Sequence, residues 1–570
     1  MVDYAIIGGN KREYFMRRLG ALKNERESFI PHWREAAEFI QPRRGRFFTQ
    51  DRNRGDRRYQ SIINSRATQA LRIARSGLLA GTMSPARPWF ALGTTDPDLM
   101  EFAPVKIWLY KAEVLLRRIF NSGNLYNMAP AMLGELLNFG TGAMIHLDDF
   151  EDVSRFYTFT VGSYSIAQDD KQRVNTLVRE YEMTVEQMAG AFGLENLSQS
   201  ARMAYDRGDY DSWYPVVHYI GLNPDFDPRR PLAKNKRFSS CYFEPGKHEN
   251  RDQDFLRESG YDDFPAYCPR WDTTAEDIYG TDCPAMTALG DIKGLQIEER
   301  RKAQAIDKMV NPPLKGPSSL RNVPVSSLPG GLTIYDEDSS GKNGLSTLYE
   351  VRMPLNELRA DIKEVEQRIN DAFFVQLFKP ITMMEGIQPK NQFELMQRNQ
   401  EALLELGPVL ERIHGEFLSR LIDRQLKQMF KADLLPPAPE EMQGQEIRVE
   451  YISSLAMAQR AVATGGIDRL AAFVGGLVGA GFQSAADKFD ADQAIDEYSS
   501  LIGVPPRLVV PDEQVAAIRE QRAQQQQQMQ MMEMAKQAAE TAKSASDAQM
   551  TEPSALSMIS DAVGKANGSQ

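Results

Sequence analysis

Apolar positions recur at three- and four-residue intervals through the first 140 residues, the spacing of helices that bury one face. Leu19, Leu22, Phe29, Trp33, Ala37 and Ile40 predict helix over 15–40, interrupted near Pro31 and closed by Pro42. The period continues over 65–79 and 105–120, and PARPWF at 85–90 breaks it twice. From Phe156 to about Arg270 the texture changes to short β-branched and aromatic runs (FYTFTV, TLVREY, PVVHYIGL) between Gly, Pro, Asn and Asp clusters, which predicts strands. A helix over 184–192 interrupts them, opened by Thr184 with Glu186 and Gln187 in its first turn.

The next stretch carries the architecture. Residues 284–310 predict a helix about 40 Å long, weakened at Gly290 and Gly294 and stopped by NPPLKGP. Residues 311–349 are rich in Gly, Pro and Ser, a small excursion. A second helix is predicted over 354–378, with Leu355, Leu358, Ile362, Val365, Ile369 and Phe373 on one stripe. Its other faces carry Glu357, Asp361, Glu364, Glu366 and Asp371. Pro380, Gly386 and Pro389 predict a loop over 379–391, followed by a helix over 392–432 that Pro408 should kink. A strand near 446–452, helices over most of 454–501, a linker at 504–512 and a weakly amphipathic helix from Glu513 to about Met550 complete the chain. The result is an α+β fold, predominantly α-helical. Two helices joined by a small module make an elongated subunit, which oligomerisation would stabilise.

Composition narrows this further. The 570 residues are 42% hydrophobic and 25% charged, as in ordinary globular proteins. Cys241, Cys268 and Cys283 are odd in number and far apart, which argues against a disulfide framework and fits a reducing compartment. The N-terminus lacks the apolar core of a signal peptide. The most apolar segment, 470–482, is shorter than the roughly 20 residues that span a bilayer and reads as a buried Gly-rich helix. A net charge of −11 argues against a surface that grips nucleic acid everywhere. One segment runs the other way: between Gln41 and Ala80 stand ten arginines, Arg43, Arg44, Arg46, Arg52, Arg54, Arg57, Arg58, Arg66, Arg72 and Arg75, against Asp51 and Asp56. It fits either a solvated, subunit-contacting surface or direct DNA contact.

Catalytic and cofactor signatures are missing. The Gly-Lys pairs at 246, 341 and 564 lack the first glycine of a P-loop, and there is no H-E-x-x-H or G-x-S-x-G. Asp336, Asp338 and Ser340 start like a calcium loop, but Thr347 stands where a bidentate Glu is required. No cofactor or metal is therefore assigned. Trp33, Trp89, Trp108, Trp213 and Trp271 sit in no basic-aromatic string and read as core anchors.

Dispersed blocks in a fixed order give the chain a family likeness. They are Arg26 with WREAAEFIQPRRGRF at 33–47, LLAGTMSPARPWFAL at 78–92, NLYNM through LNFGTGAM at 124–144, and VREYEMTVEQM at 178–188. PRWDTTAEDIYGTDCPAMTALGDIKGL at 269–295, NPPL at 311–314 and ELGPVLERIHGEFLSRLIDR at 405–424 follow. Over roughly residues 15–520 the chain resembles the portal, or head-to-tail connecting, proteins of short-tailed bacteriophages. YGTDCP at 279–284 departs from a family pattern, being one residue longer.

The resemblance implies a structural protein, not an enzyme, in a ring of about twelve subunits around a DNA channel at the capsid vertex. It implies a wing over 1–283, stem helices at 284–310 and 354–378, a clip over 311–353 and a channel loop at 379–391. A kinked wing helix over 392–445, a crown over 446–512 and a C-terminal helical barrel or disordered tail over 513–570 follow. Expected partners are double-stranded viral DNA, the terminase motor, capsid and scaffolding proteins and tail adaptors, with assembly in the host cytoplasm and residence in the virion. Lys379, Met383, Met384, Glu385 and Lys390 are the expected DNA-facing loop residues. Glu357, Asp361, Glu364 and Asp371 are the expected acidic stem face, which would repel sliding DNA instead of binding it. Two alternatives stand beside this reading: a metal-dependent DNA-processing enzyme, supported by the basic segment alone, and another ring-forming virion component such as a tail adaptor.

Overall fold

The computed structural model describes most of residues 11–47, 57–246, 255–316, 346–347, 354–383, 400–453 and 470–548; expectations that fall on the remaining residues lie outside it. The chain begins with α1 (Lys11–Glu27) and α2 (Ile30–Ile40), split around Phe29 and Pro31 as the spacing predicts. Then come α3 (Arg66–Thr82), β1 (Phe90–Thr94), α4 (Ala103–Ser122) and α5 (Leu125–Phe139). The β-rich part starts earlier than expected, at β2 (Ala143–Asp149), and continues with β3 (Val153–Phe159), β4 (Tyr164–Gln168) and β5 (Val174–Thr184). After α6 (Val185–Phe192) and α7 (Gln199–Asp206) come β6 (Trp213–Leu222), β7 (Phe238–Phe243), β8 (Arg257–Tyr261) and β9 (Ala266–Tyr267). Thr184 caps α6 through a reciprocal capping box with Gln187.

Strands β4 to β8 form an antiparallel sheet in chain order, and β2 lies between β3 and β9 in a second, three-stranded sheet. Strand periodicity sends alternate side chains to opposite faces of the larger sheet. Val217 and Tyr219 of β6 meet Phe15, Leu19 and Leu22 of α1, and Phe15 stacks on Tyr219 with ring centroids 4.0 Å apart. Val216, one residue on, packs with Met188 and Ala201 of α6 and α7.

The helical half is built around α8 (Pro284–Val310), which has both the start and the end that its sequence predicts. Strands β10 (Leu314–Lys315) and β11 (Ser346–Thr347) pair antiparallel beyond its end; between them, residues 322–345, including the calcium-like residues Asp336 to Ser340, lie outside the described part. The second predicted helix is in fact two. α9 (Leu355–Ala372) keeps the apolar stripe, but Phe374 adopts φ +53 and redirects the chain into α10 (Val375–Met383). The turn costs on the order of 1 kcal/mol for a residue with a Cβ. In return Val375, Leu377 and Phe378 are buried in the core shared with α3. Gly77 makes that approach possible: a Cβ there would lie 2.3 Å from Phe378 Cβ.

The helix predicted over 392–432 is described as α11 (Gln400–Ile413), with Pro408 inside it, a π turn (His414–Leu418) and α12 (Ser419–Lys431). β12 (Ile447–Tyr451) pairs with β1, Phe90 opposite Tyr451, tying this part back to the N-terminal half. α13 (Ala491–Ile502) and α14 (Asp512–Ala548) complete the described fold.

Two expectations about burial fail. Trp33, Trp89, Trp108 and Trp271 are buried, but Trp213, at the start of β6, is 46% exposed. The segment 470–479 is helical, yet Phe473 is 64% exposed, because no described element covers it. No helix among the described residues is long and apolar enough to cross a membrane.

The two halves are joined by a buried ion pair. Arg270, 3% exposed, donates through Nη2 (2.5 Å) and Nε (3.1 Å) to Glu416 of the π turn, and its backbone N–H adds a third bond at 2.9 Å. Its other donors reach Gln168 Oε1 (2.7 Å) and the Gln172 carbonyl (2.8 Å).

Two outcomes are expected in thermal and denaturant unfolding. Gly77→Val should overpack the contact with Phe378 and cost about 1–3 kcal/mol, whereas Gly20→Ala, at an open site in α1, should be neutral or stabilising. Glu416→Ala should cost about 3 kcal/mol, because it leaves the Arg270 charge buried without its partner; a loss no larger than that of an exposed pair would refute the clasp.

Candidate functional site

The acidic residues expected on one helix face lie where α8 and α9 run antiparallel. Asp291 meets Arg368 at 3.2 Å, and Glu298 lies beside Asp361 further along the pair. Ile292 and Leu295 of α8 and Ile362, Val365 and Ile369 of α9 are buried between them. Glu357, Asp361, Glu364 and Asp371 are all exposed, and at i, i+4, i+7 and i+14 they fall on one stripe of the helix. Arg368 sits in that stripe, which the sequence reading overlooked; it donates to Glu364 (3.1 Å) as well as to Asp291. Burial, with the charge of Asp361 second, holds the Glu298 carboxyl above the ordinary glutamate range. The face is thus an acidic seam fed by both helices, with one of its charges neutralised locally.

The loop expectation needs correction at its start. Lys379 is an exposed residue inside α10, and Met383 is the last residue of that helix; neither lies in a loop. Helix continues through Pro380 because the carbonyl left without its partner belongs to Gln376, an exposed residue. Met384, Glu385 and Lys390 lie outside the described residues.

In the basic segment, Arg52 and Arg54 lie outside the described residues, and Arg57 and Arg58 are wholly or partly exposed. The start of the segment is docked against the turn between β3 and β4. Arg43 lies over the Tyr59 ring, 5.8 Å from its centroid. Gly45 N–H donates to Thr160 Oγ1 (2.8 Å) and Arg46 N–H to the Val161 carbonyl (2.9 Å). Gly162, at φ +84, is required here, since a Cβ would lie 1.8 Å from the Arg46 carbonyl oxygen. Buried Glu135 of α5 organises this corner, accepting from Thr160 Oγ1 (2.9 Å) and Val161 N–H (3.1 Å), with Arg44 3.7 Å away. Burial outweighs the Arg44 charge and these bonds, and pushes its carboxyl up to about 7.

A polar knot missed by sequence reasoning then ties residues 63–66 of this segment to both α8 and α9. Gln296 Oε1 accepts from Ile63 N–H (2.7 Å) and Asn64 N–H (2.8 Å). Asn64 Nδ2 donates to Glu299 (3.2 Å) and Glu366 (2.9 Å), and Arg66 Nε donates to Asn370 (2.7 Å). The only signal in the sequence was Gln296, a polar residue on the buried side of α8. Nothing in this geometry resembles a catalytic constellation: among the described residues no cluster of His, Cys, Asp and Glu could hold a metal ion. Cys241, Cys268 and Cys283 are free and buried, their thiols pushed up to about 12 by burial.

Comparison with known proteins gives this arrangement its class. The profile described as "Bacteriophage head to tail connecting protein" matches residues 12–510. The portal protein of Salmonella phage epsilon15 is 44% identical over 557 residues, 97% of this chain and 99% of that one. A probable portal protein of Bordetella phage BPP-1 is 45% identical over 514 residues, 90% of this chain and 91% of that one. A solved neck structure of an empty gene transfer agent particle covers 82% of this chain and 98% of its own at 14% identity, with a TM-score of 0.35, a slight likeness. The chain belongs to the head-to-tail connecting proteins of bacteriophages.

Glu135 gives a pH test. Its folded value lies above the unfolded one, so the folded state keeps a proton that the unfolded chain has released; this stabilisation is full at low pH and lost as pH rises through about 7. The melting temperature of the wild type minus that of Glu135→Gln should therefore fall between about pH 5 and pH 8. A flat difference would show that Glu135 stays ionised throughout.

Proposed function

We propose that this chain is the structural portal subunit of a short-tailed phage, forming a dodecameric ring at one capsid vertex through which viral DNA is packaged and ejected. The observation that carries the reading is the family match over 12–510, together with two portal proteins 44–45% identical over nine-tenths or more of the chain. In this reading α8 and α9 are the stem. The module between them, entered and left through the β10–β11 pair, is the clip that meets the terminase motor and later the tail adaptors. The antiparallel packing of α8 on α9, with both ends of the module held together, supports that assignment. The acidic seam is suited to a channel wall that lets DNA slide, since carboxylates repel phosphates and bind none tightly. The wing, carrying both sheets, would contact capsid and scaffolding proteins, with residues 446–512 as crown. Assembly takes place in the host cytoplasm and the ring ends in the virion.

Apolar residues exposed on the single subunit also favour a ring. Ile306, Met309 and Val310 share one side of the last turns of α8, and Val310 is 80% exposed. Such a row on an otherwise polar helix end marks an interaction surface. Negative-stain microscopy with native mass spectrometry of the purified chain should show closed rings of about a dozen subunits with a central hole. A monomer stable at every concentration would overturn the reading.

A further inference from the structure

Three arginines converge where the basic segment, α3 and α5 meet. Arg72 and Arg75 are one turn apart on α3 and so share a face. The stem of Arg75 lies flat on α5: a Cβ at Gly134 would come within 3.1 Å of Arg75 Cδ. Arg44 stands over the next residue of the same helix, 3.7 Å from Glu135. The Glu135 carboxyl gives Arg44 a long contact only, and its oxygens also accept from Thr160 and Val161. Arg75 Nε is buried without a hydrogen-bond partner. Burial comes first, and the charges of Arg44 and Arg72 next, in holding the Arg75 guanidinium below its ordinary range. Arg72 is exposed and the Arg44 side chain is 38% exposed, so the cluster opens to solvent.

Like charges held together repel, and a buried donor left unmade costs free energy. One incoming group with several anionic oxygens at the open side of the cluster relieves the repulsion, and planar guanidinium forks match the oxygens of a phosphate. We propose that Arg44, Arg72 and Arg75 form a phosphate-binding site at the junction of the basic segment, α3 and α5. The phosphate is either a phosphodiester of nucleic acid or a free phosphate. The site goes beyond the portal reading and requires only the fold of one subunit, so a failure to form rings does not decide it.

Two measurements on the full chain test the site and separate the sources. The first is fluorescence anisotropy of a short labelled DNA duplex over a salt series; the second is thermal melting with pyrophosphate against chloride at matched ionic strength. Arg72→Gln is the main variant, because an exposed residue can be changed without disturbing the fold; Arg75→Gln is the second and Arg522→Gln, on exposed α14, the control. For a phosphodiester, Arg72→Gln should weaken duplex binding about fivefold and lower the salt slope by about one, with the control unchanged. For a free phosphate, pyrophosphate should raise the melting temperature of the wild type but not of Arg72→Gln, while duplex binding stays equal. The proposal is overturned if neither response depends on Arg72 and Arg75. It is equally overturned if Arg72→Gln disrupts subunit association and leaves both phosphate responses intact, because the arginines would then serve carboxylates of a second copy.

Discussion

A guanidinium cannot shed its charge, so when a fold buries one it must bring acceptors to it from wherever the chain can supply them. Arg270 draws them from the π turn, from the end of β4 and from the β4–β5 turn, regions more than ninety residues away in sequence. Its neighbours are bound into the same seam: Trp271 N–H donates to the Gly140 carbonyl, and Gly142 N–H to that of Pro269. Gln172 is held at φ +59, with its carbonyl turned to Arg270. The long helix widens into its π turn where Glu416 must reach Arg270, which fits the habit of such turns to occur where a helix has a specific side chain to place. Through this clasp the sheets, α5 and the long helix become one framework, and α8 leaves that framework only a few residues after Ile278, whose carbonyl Arg270 also faces.

From that base the molecule becomes more polar and more open along α8. Near its start the helix is packed against α5 and α2; in the middle it holds the knot of Gln296, Asn64 and Glu366; at its end it offers exposed apolar side chains. The gradient leaves the start of α8 held by the packed core and its end without cover from the described residues. The acidic seam and the arginine cluster lie on different parts of this frame: carboxylates gather on one surface, and on the other the fold brings cations together.

Much of the fold was legible in the sequence because its signals are local. Proline at the first turn, the apolar period and NPPL at the end define α8 completely, and Thr184 with Gln187 defines the start of α6. The stripe Glu357, Asp361, Glu364 and Asp371 follows from helical spacing alone. Arg368 falls in the same stripe by the same spacing, although its pairing with Asp291 of α8 is not a local property. The predicted 354–378 helix failed at Phe374 for a different reason: nothing local disfavours helix there, and the break is set by how closely α10 can approach Gly77 on a helix three hundred residues away.

The sequence by itself determined the element types, the family and the acidic and basic character of the two surfaces, since periodicity, breakers and charge are properties of neighbouring residues. Tertiary structure alone decided which polar residues meet. Arg270 with Glu416, Asn64 with Gln296 and Glu366, and Arg44 with Glu135 are each separated by ninety residues or more. It also decided which apolar residues stay exposed: Phe473 and Trp213 carry core-like sequence signals but are 64% and 46% exposed. The physical reason is that a charge or an apolar ring has no preferred partner until the backbone brings one within a few ångströms, and that choice belongs to the packing of the whole chain.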